Sequence, residues 1–254
     1  FDYCWRKHGN ENIFFVIEKK RLHLVDDRYR DRIIARGSSR HFWALLKSSA
    51  FVFTNNELDV SPFYFSSGKR SRIKTVFLSH GITYYNPAVY VRKIANRFSL
   101  IIACSEAERK QKIHDWNIKD RNKVVATGYP IFDRLVNHQS TNEILFCPTW
   151  RNKLDYISID DFKSSKYYIE ILSFLTDPTT HLYLLENGLT LTFRCHFRLS
   201  EAFDTIRDEF PETIVFESAG AKRKLQDVLK NARMLITDYS SILWDMAYMH
   251  KPVL

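Results

Sequence analysis

Short unbroken apolar runs recur along this chain with helical patterns between them, and this alternation constrains the fold more than any other feature. Strands are expected at 13–17, 50–54, 75–79, 100–104 and 123–127. A second series follows at 143–147, 189–195, 213–216, 234–237 and 252–254. Continuous apolar runs suit parallel strands covered on both faces, whereas a half-exposed sheet alternates. Asn86-Pro87 is an N-cap followed by proline at the first helical position, which predicts a helix running to about Phe98. Ser105-Glu106-Ala107-Glu108 opens another, with acids in its first turn. Further helices are expected over 160–175 and 225–232. The class is therefore α/β with parallel sheets.

Ten strands are too many for one compact sheet in 254 residues. The polar run Asn137-His138-Gln139-Ser140-Thr141-Asn142 places the break, giving Rossmann-like domains over 1–137 and 138–254. The chain opens inside a helical pattern without a cap and closes on Lys251-Pro252-Val253-Leu254, the start of another strand. Both ends read as cut, and the second domain as incomplete at its carboxyl end.

Composition bears mainly on the partner. A chain that is 45% hydrophobic, with 19 Phe and 13 Tyr, can build a core and is not disordered. Its net charge of +9 favours an anionic partner: nucleotide, phosphopolymer, membrane surface or nucleic acid. An ordinary basic protein is the plainer account. Lys19-Lys20-Arg21, the stretch from Arg28 to Arg40, and Lys69-Arg70-Ser71-Arg72 are basic, but Glu18, Asp26, Asp27 and Asp31 interleave with them, as on a solvated face. Cys4, Cys104, Cys147 and Cys195 form no CxxC pair and read as free thiols of a reducing compartment. No apolar run approaches the ~20 residues of a membrane span, and no signal-peptide pattern opens the chain.

Ligands of open α/β sheets bind beyond the carboxyl ends of the strands, so the residues that follow each run are the candidates. Ser79-His80-Gly81 sets an imidazole at a strand end, where it suits a general base; a loop-bonding histidine is the alternative. After Cys147-Pro148-Thr149-Trp150, Arg151 has the fork for phosphate oxygens, or for a surface ion pair. Arg194 and His196 alternate about Cys195 and share one face if the strand extends that far. Thr237-Asp238-Tyr239-Ser240-Ser241 leads into a helix whose N-terminus suits phosphate, with two hydroxyls as added donors. Plain N-capping needs only one of those serines. Asp245, one turn after Ser241, is placed to accept from a ribose diol. Together the strand ends point to a nucleotide-phosphate site.

In this order, Ser79-His80-Gly81, Thr127-Gly128-Tyr129-Pro130 with Asp133, Cys147 to Arg151, Arg194-Cys195-His196, and Leu235 to Asp245 with Lys251-Pro252 resemble the CDP-glycerol glycerophosphotransferases. These are teichoic-acid and capsule polymerases of bacteria, and the likeness runs from about Tyr3 to Leu254. It implies a GT-B fold: two Rossmann-like domains facing a cleft, the first taking the acceptor and the second the CDP-linked donor. By position, His80 is the base, with Ser79 and Gly81 on the acceptor side, and His196 stabilises the donor phosphates. Arg151, Arg194, Ser240 and Ser241 hold the pyrophosphate, Asp245 the ribose, and Asp238 orders the turn. A hydroxyl of the acceptor attacks the donor's β-phosphate, CMP leaves, and a phosphodiester forms.

The chain has no acidic DxD cluster, so neither metal nor cofactor is expected. The resemblance implies a CDP-polyol donor and a phosphopolymer or glycan acceptor. It implies a cytoplasmic enzyme in peripheral contact with the inner face of the bacterial plasma membrane, without nucleic acid. The family has proline after the second histidine; here Phe197 stands there, which points to a divergent subgroup with a different donor or acceptor. Competing readings are a GT-B glycosyltransferase using a nucleotide sugar, a basic nucleic-acid-binding protein, and a non-catalytic anchoring module.

Overall fold

The computed structural model describes residues 2–8, 12–62, 72–82, 89–136, 139–149, 151–154, 157–195, 203–207, 210–217 and 223–254. They form two compact units, Phe1–Tyr129 and Pro130–Leu254. The division falls ahead of the polar run at 137–142. The intervening residues carry apolar side chains that pack within the second unit: Leu135 is 1% exposed, and Phe132 stacks on Tyr248 with ring centroids 4.5 Å apart. His138, with Asn137, lies outside the described residues.

In the first unit β1 (Phe15–Ile17) pairs in parallel with β2 (Ile33–Ala35). A separate parallel sheet runs β3 (Ala50–Phe53), β4 (Lys74–Phe77), β5 (Leu100–Ala103), β6 (Val124–Ala126) in that order. The helices are α1 (Asp2–His8), α2 (Ser39–Lys47), α3 (Val89–Ile94) and α4 (Glu106–Asp115). The Asn86-Pro87 start signal lies outside the described residues. Strand β2 and helix α2 fall in the basic stretch that reads as a solvated face. Ile33 and Ile34 are nonetheless buried, and Ser38 caps α2 by accepting from the His41 amide at 3.1 Å. The core of this unit is aromatic. Phe77 stacks on Phe98 at 5.5 Å and meets Trp116 edge-on at 6.0 Å, and all three are at most 2% exposed. Each such burial is worth roughly 1.5–3 kcal/mol.

The second unit holds a parallel sheet in the order β10-β7-β8-β9, from β7 (Glu143–Phe146), β8 (Thr190–Arg194), β9 (Ile214–Glu217) and β10 (Met234–Ile236). Val253 bridges Leu235 in parallel on the outer side of β10. Starting from β9, the chain order across the sheet is third, second, first, fourth, fifth, the Rossmann order, and it reverses between β7 and β10. The helices are α5 (Ile159–Lys163), α6 (Lys166–Leu175), α7 (Pro178–Glu186), α8 (Leu225–Asn231) and α9 (Leu243–Tyr248). The single helix expected over 160–175 is two, because Ser165 ends the run by capping α6: its hydroxyl accepts from the Tyr168 amide at 3.2 Å. Helix α7, absent from the sequence reading, starts on an Asp177-Pro178 cap.

Each unit satisfies the end of one helical segment with a buried lysine. Lys123 Nζ donates to the carbonyls of Ala95 and Phe98 at 2.9 and 3.2 Å. Lys251, of the Lys-Pro pair, donates to Leu229 at 3.0 Å and to Lys230 and Ala232. Terminal carbonyls lack partners in their own helix, and a lysine supplies both the bonds and the favourable charge. Burial lowers the pKa of both lysines. Among the described residues, no helix is long and apolar enough to cross a membrane.

Candidate active site

The reversal of strand order opens a crevice beyond the carboxyl ends of the two strands that flank it, here β7 and β10. The chain after β7 is Cys147-Pro148-Thr149, then Arg151; the chain after β10 is Thr237 to Ser241. Side chains tie the two ends together. Thr237 Oγ1 donates to the Cys147 carbonyl at 2.6 Å. Asp238 Oδ1 accepts from the amides of Thr149 (3.0 Å) and Tyr239 (2.8 Å), and its Oδ2 takes Arg151 Nη2 at 2.7 Å. Burial pushes the Asp238 carboxyl up, but the bonds from Thr149 and Arg151 outweigh it and hold the group below its ordinary value.

Arg151 also donates through Nη1 to the Thr149 carbonyl at 2.9 Å, and its guanidinium lies over the rings of Tyr239 (4.5 Å) and Tyr167 (5.0 Å). These two bonds use two of the five N–H donors of the fork, and the two rings fix its plane. The sequence places Arg151 and Asp238 in separate motifs; the structure makes them one unit.

Neither Ser240 nor Ser241 caps α9. Ile242 holds the N-cap position without a side-chain bond, and the turn closes through the backbone, Leu243 N to Ser240 O and Trp244 N to Ser241 O, both at 3.2 Å. The plain-capping account of the serines therefore fails. Asp245 sits in the first turn of α9, where the helix dipole favours a carboxylate. Burial nonetheless pushes its pKa up to about 6. The folded state then keeps a proton that the unfolded chain, with its carboxyl at 3.8, releases first. Stability falls as pH rises from about 4 to about 6 and stays lowered above that. Asp245→Asn is expected to stabilise the ligand-free protein at pH 7 by about 1–2 kcal/mol, discounted for partial exposure, with no gain at pH 3.5. Urea melts at the two pH values check this; an equal effect at both would remove the desolvation argument.

Arg194, at the end of β8, has other partners. Its Nη1 donates to Glu217 at 2.9 Å and to the Arg223 carbonyl at 3.1 Å. Arg223 in turn grips Glu143 with both Nη atoms (2.9 and 2.7 Å) and reaches Glu217 through Nε. Glu143 and Glu217 are 9% and 7% exposed. The structure thus brings Arg151 and Asp238 together, and holds Arg194 in this carboxylate network instead. Sequence reading misses Glu143, Glu217 and Arg223; Glu143 had the signal of a charged residue at the head of an apolar run, and Glu217 and Arg223 fall outside the expected runs. His196, with Trp150 and Phe197, lies outside the described residues.

In the first unit the chain leaves β4 through Leu78 and turns sharply at Ser79, whose φ of +62° is left-handed. A residue with a Cβ costs roughly 1–3 kcal/mol there. Ser79 is 7% exposed and its Oγ donates to the Gly81 carbonyl at 2.9 Å, while His80 is exposed. Gly81 has open space where a Cβ would stand. Among the described residues, no group of three His, Cys, Asp or Glu is placed to hold a metal ion.

The whole chain, residues 1–254, matches the family CDP-glycerol:poly(glycerophosphate) glycerophosphotransferase. It is 24% identical over 270 residues to the minor teichoic acid biosynthesis protein GgaB of Bacillus subtilis (strain 168), covering 100% of this chain and 29% of that protein. It shares its fold with the wall teichoic acid polymerase TagF (TM-score 0.66, 16% identity, 99% of this chain and 64% of that one). A TagF variant soaked with CDPG matches with a TM-score of 0.65 at 16% identity, over the same 99% and 64%. The chain therefore spans less than two thirds of either relative's length. An α/β fold shared with TagF and a family match over every residue lead to one conclusion: the chain belongs to the CDP-glycerol:poly(glycerophosphate) glycerophosphotransferases.

Proposed function

We propose that this chain is the transferase part of an enzyme that moves glycerol phosphate, or a related polyol phosphate, from a CDP-linked donor to a hydroxyl of a teichoic-acid-like or capsule polymer. The observation that carries the reading is the Arg151–Asp238 tie at the strand-order reversal of the second unit, in a chain of this family. A phosphate site there needs fixed positive charge and fixed donors. Arg151 is held in plane by two rings and a carboxylate, and the Ser240 and Ser241 hydroxyls are not spent on capping.

In this reading the second unit holds the donor: Arg151, Arg194 and the two serines on the pyrophosphate, Asp245 on the ribose, His196 on the phosphates. The first unit supplies His80, with Ser79 and Gly81 on the acceptor side. His80 takes the proton of the attacking hydroxyl, a new O–P bond forms at the β-phosphorus, and the bond to CMP breaks. Arginines, N–H groups and imidazolium meet the charge of the leaving phosphate, so the step needs no metal. The net charge of +9 supports a phosphopolymer acceptor and peripheral contact with an anionic membrane at its cytoplasmic face. So do Trp43 and Leu46 of α2, 59% and 62% exposed beside Arg40 and Lys47.

The test is product analysis by mass spectrometry of the full-length protein with CDP-glycerol, CDP-ribitol and UDP-sugars, the acceptor being carried in anionic or neutral vesicles. CMP release with a phosphodiester product from a CDP-polyol is expected, faster on anionic vesicles. Turnover of UDP-sugars alone would replace the reading with a glycosyltransferase, and equal rates on both vesicles would remove the membrane contact.

A further inference from the structure

Arg194 and Arg223 grip the same carboxylate, but their forks are used to different extents. Arg223 is fully engaged: its Nε donates to Glu217 Oε1 and both Nη atoms donate to Glu143. Glu143 is held further by the Thr192 hydroxyl, which donates to its Oε1 at 2.5 Å. Arg194 is held at one nitrogen. Its Nη1 donates to Glu217 Oε2 at 2.9 Å and to the Arg223 carbonyl at 3.1 Å. Among the described residues, Nε and Nη2 of Arg194 have no partner. These two nitrogens form a side of the fork that can meet two phosphate oxygens in parallel. The Arg194 side chain is 19% exposed, against 8% for Glu217.

Arg194 and Glu217 are the last residues of β8 and β9 and stand directly opposite each other in the parallel register. Ligands of such sheets bind at that end. A long arginine free to rotate would have to be ordered by the ligand itself, which lowers affinity. Glu217 orders it beforehand. It can do so because it is itself fixed: Arg223 holds its Oε1, and the residue is 7% exposed. A lone carboxylate beside an anion site would repel the ligand. Here two arginines balance two glutamates. For stability alone, apolar residues of like volume would serve as well.

We propose that Glu217, anchored by Arg223, is a positioning residue: it holds Nη1 of Arg194 and so turns the Nε–Nη2 edge toward the donor pyrophosphate. The proposal rests on the reading of Arg194 as a pyrophosphate ligand. It reconciles that role with the carboxylate network, which takes one nitrogen of the fork and leaves the edge that grips oxygens. A lysine at this position would have no such edge.

The experiment measures CDP-glycerol binding to the full-length protein by calorimetry. Glu217→Gln keeps the size of the side chain and removes the charge that holds both arginines. It is expected to weaken binding roughly tenfold, the worth of part of one charge-assisted bond to phosphate. Glu217→Asp keeps the charge but withdraws it by one methylene. It should weaken binding in the same direction, and it covers the case in which Glu217→Gln does not fold. Arg194→Met should weaken binding at least as much. In that background either Glu217 change should cost nothing further, because Glu217 acts through Arg194. A glutamate that served the fold alone would cost the same with or without Arg194. Wild-type or tighter binding in the Glu217 variants, wild-type binding in Arg194→Met, or a full loss persisting without Arg194 would overturn the proposal. Failure of the unaltered protein to bind CDP-glycerol would instead overturn the donor reading, and the proposal with it.

Discussion

His80→Ala in the full-length enzyme is expected to reduce CMP release from CDP-glycerol by about 10²–10⁴-fold, the usual worth of a positioned general base. Folding should be untouched. The side chain is exposed, so its loss opens no cavity, and the strained residue of the turn is Ser79 rather than His80. Donor binding should also survive, because Arg151, Asp238 and the serines belong to the other unit. The variant should therefore bind CDP-glycerol by calorimetry with nearly wild-type affinity while turning it over hardly at all. Removing an interaction made only in the transition state has that signature. Wild-type turnover would end the base assignment; loss of both binding and turnover would move His80 to the donor site.

Arg223→Met is expected to be the most destabilising single change at the carboxyl ends of the second unit's strands. Arg223 is the common partner of Glu143 and Glu217, whose side chains are 11% and 8% exposed. Removing it leaves Glu143 facing the sheet without its counter-ion and Glu217 with Arg194 alone, and an uncompensated buried charge costs several kcal/mol. Arg223 is itself partly exposed, which discounts the loss to roughly 2–4 kcal/mol. Chemical denaturation should show the loss as a lower midpoint with the slope kept. Adding Glu143→Gln should recover part of it, since the two are coupled. A loss below about 1 kcal/mol would show that solvent reaches the carboxylates and that the network is a surface feature.

Much of the fold is legible in the sequence because a strand buried on both faces must be apolar at every position. The runs at 50–54, 100–104, 143–147 and 234–237 announce their strands to within a residue or two. Caps with an acid or serine before the first turn announce α4 in the same way. Strand β2 escapes notice because three residues among arginines make no run, and α7 because its exposed Leu182 and Leu185 blur the periodicity that marks one face. The split at Ser164-Ser165 shows a local contest: two side-chain caps outcompete a continuous helical pattern.

The candidate site divides differently. Residue types at strand ends, and their order, are legible from the chain because the carboxyl end of each strand is a position along it. Their partners are not. The Thr149–Asp238 bond joins residues 89 apart, and it exists because β10 lies beside β7 rather than beside β9, the strand that precedes it. Glu108 and Lys112 stand four apart on a helix, a spacing as common in exposed pairs, yet they are buried, because α4 packs that face against Tyr129 returning from β6. The sequence by itself determined the class, the strands other than β2 and the chemical types at their ends, since backbone periodicity and apolar burial act over a few residues. Only the tertiary structure decided that Arg151 meets Asp238, that Arg194 meets Glu217, and that Tyr129 meets Glu108 and Lys112 in the core. Those pairings depend on which strands become neighbours, and that choice is made by the whole sheet.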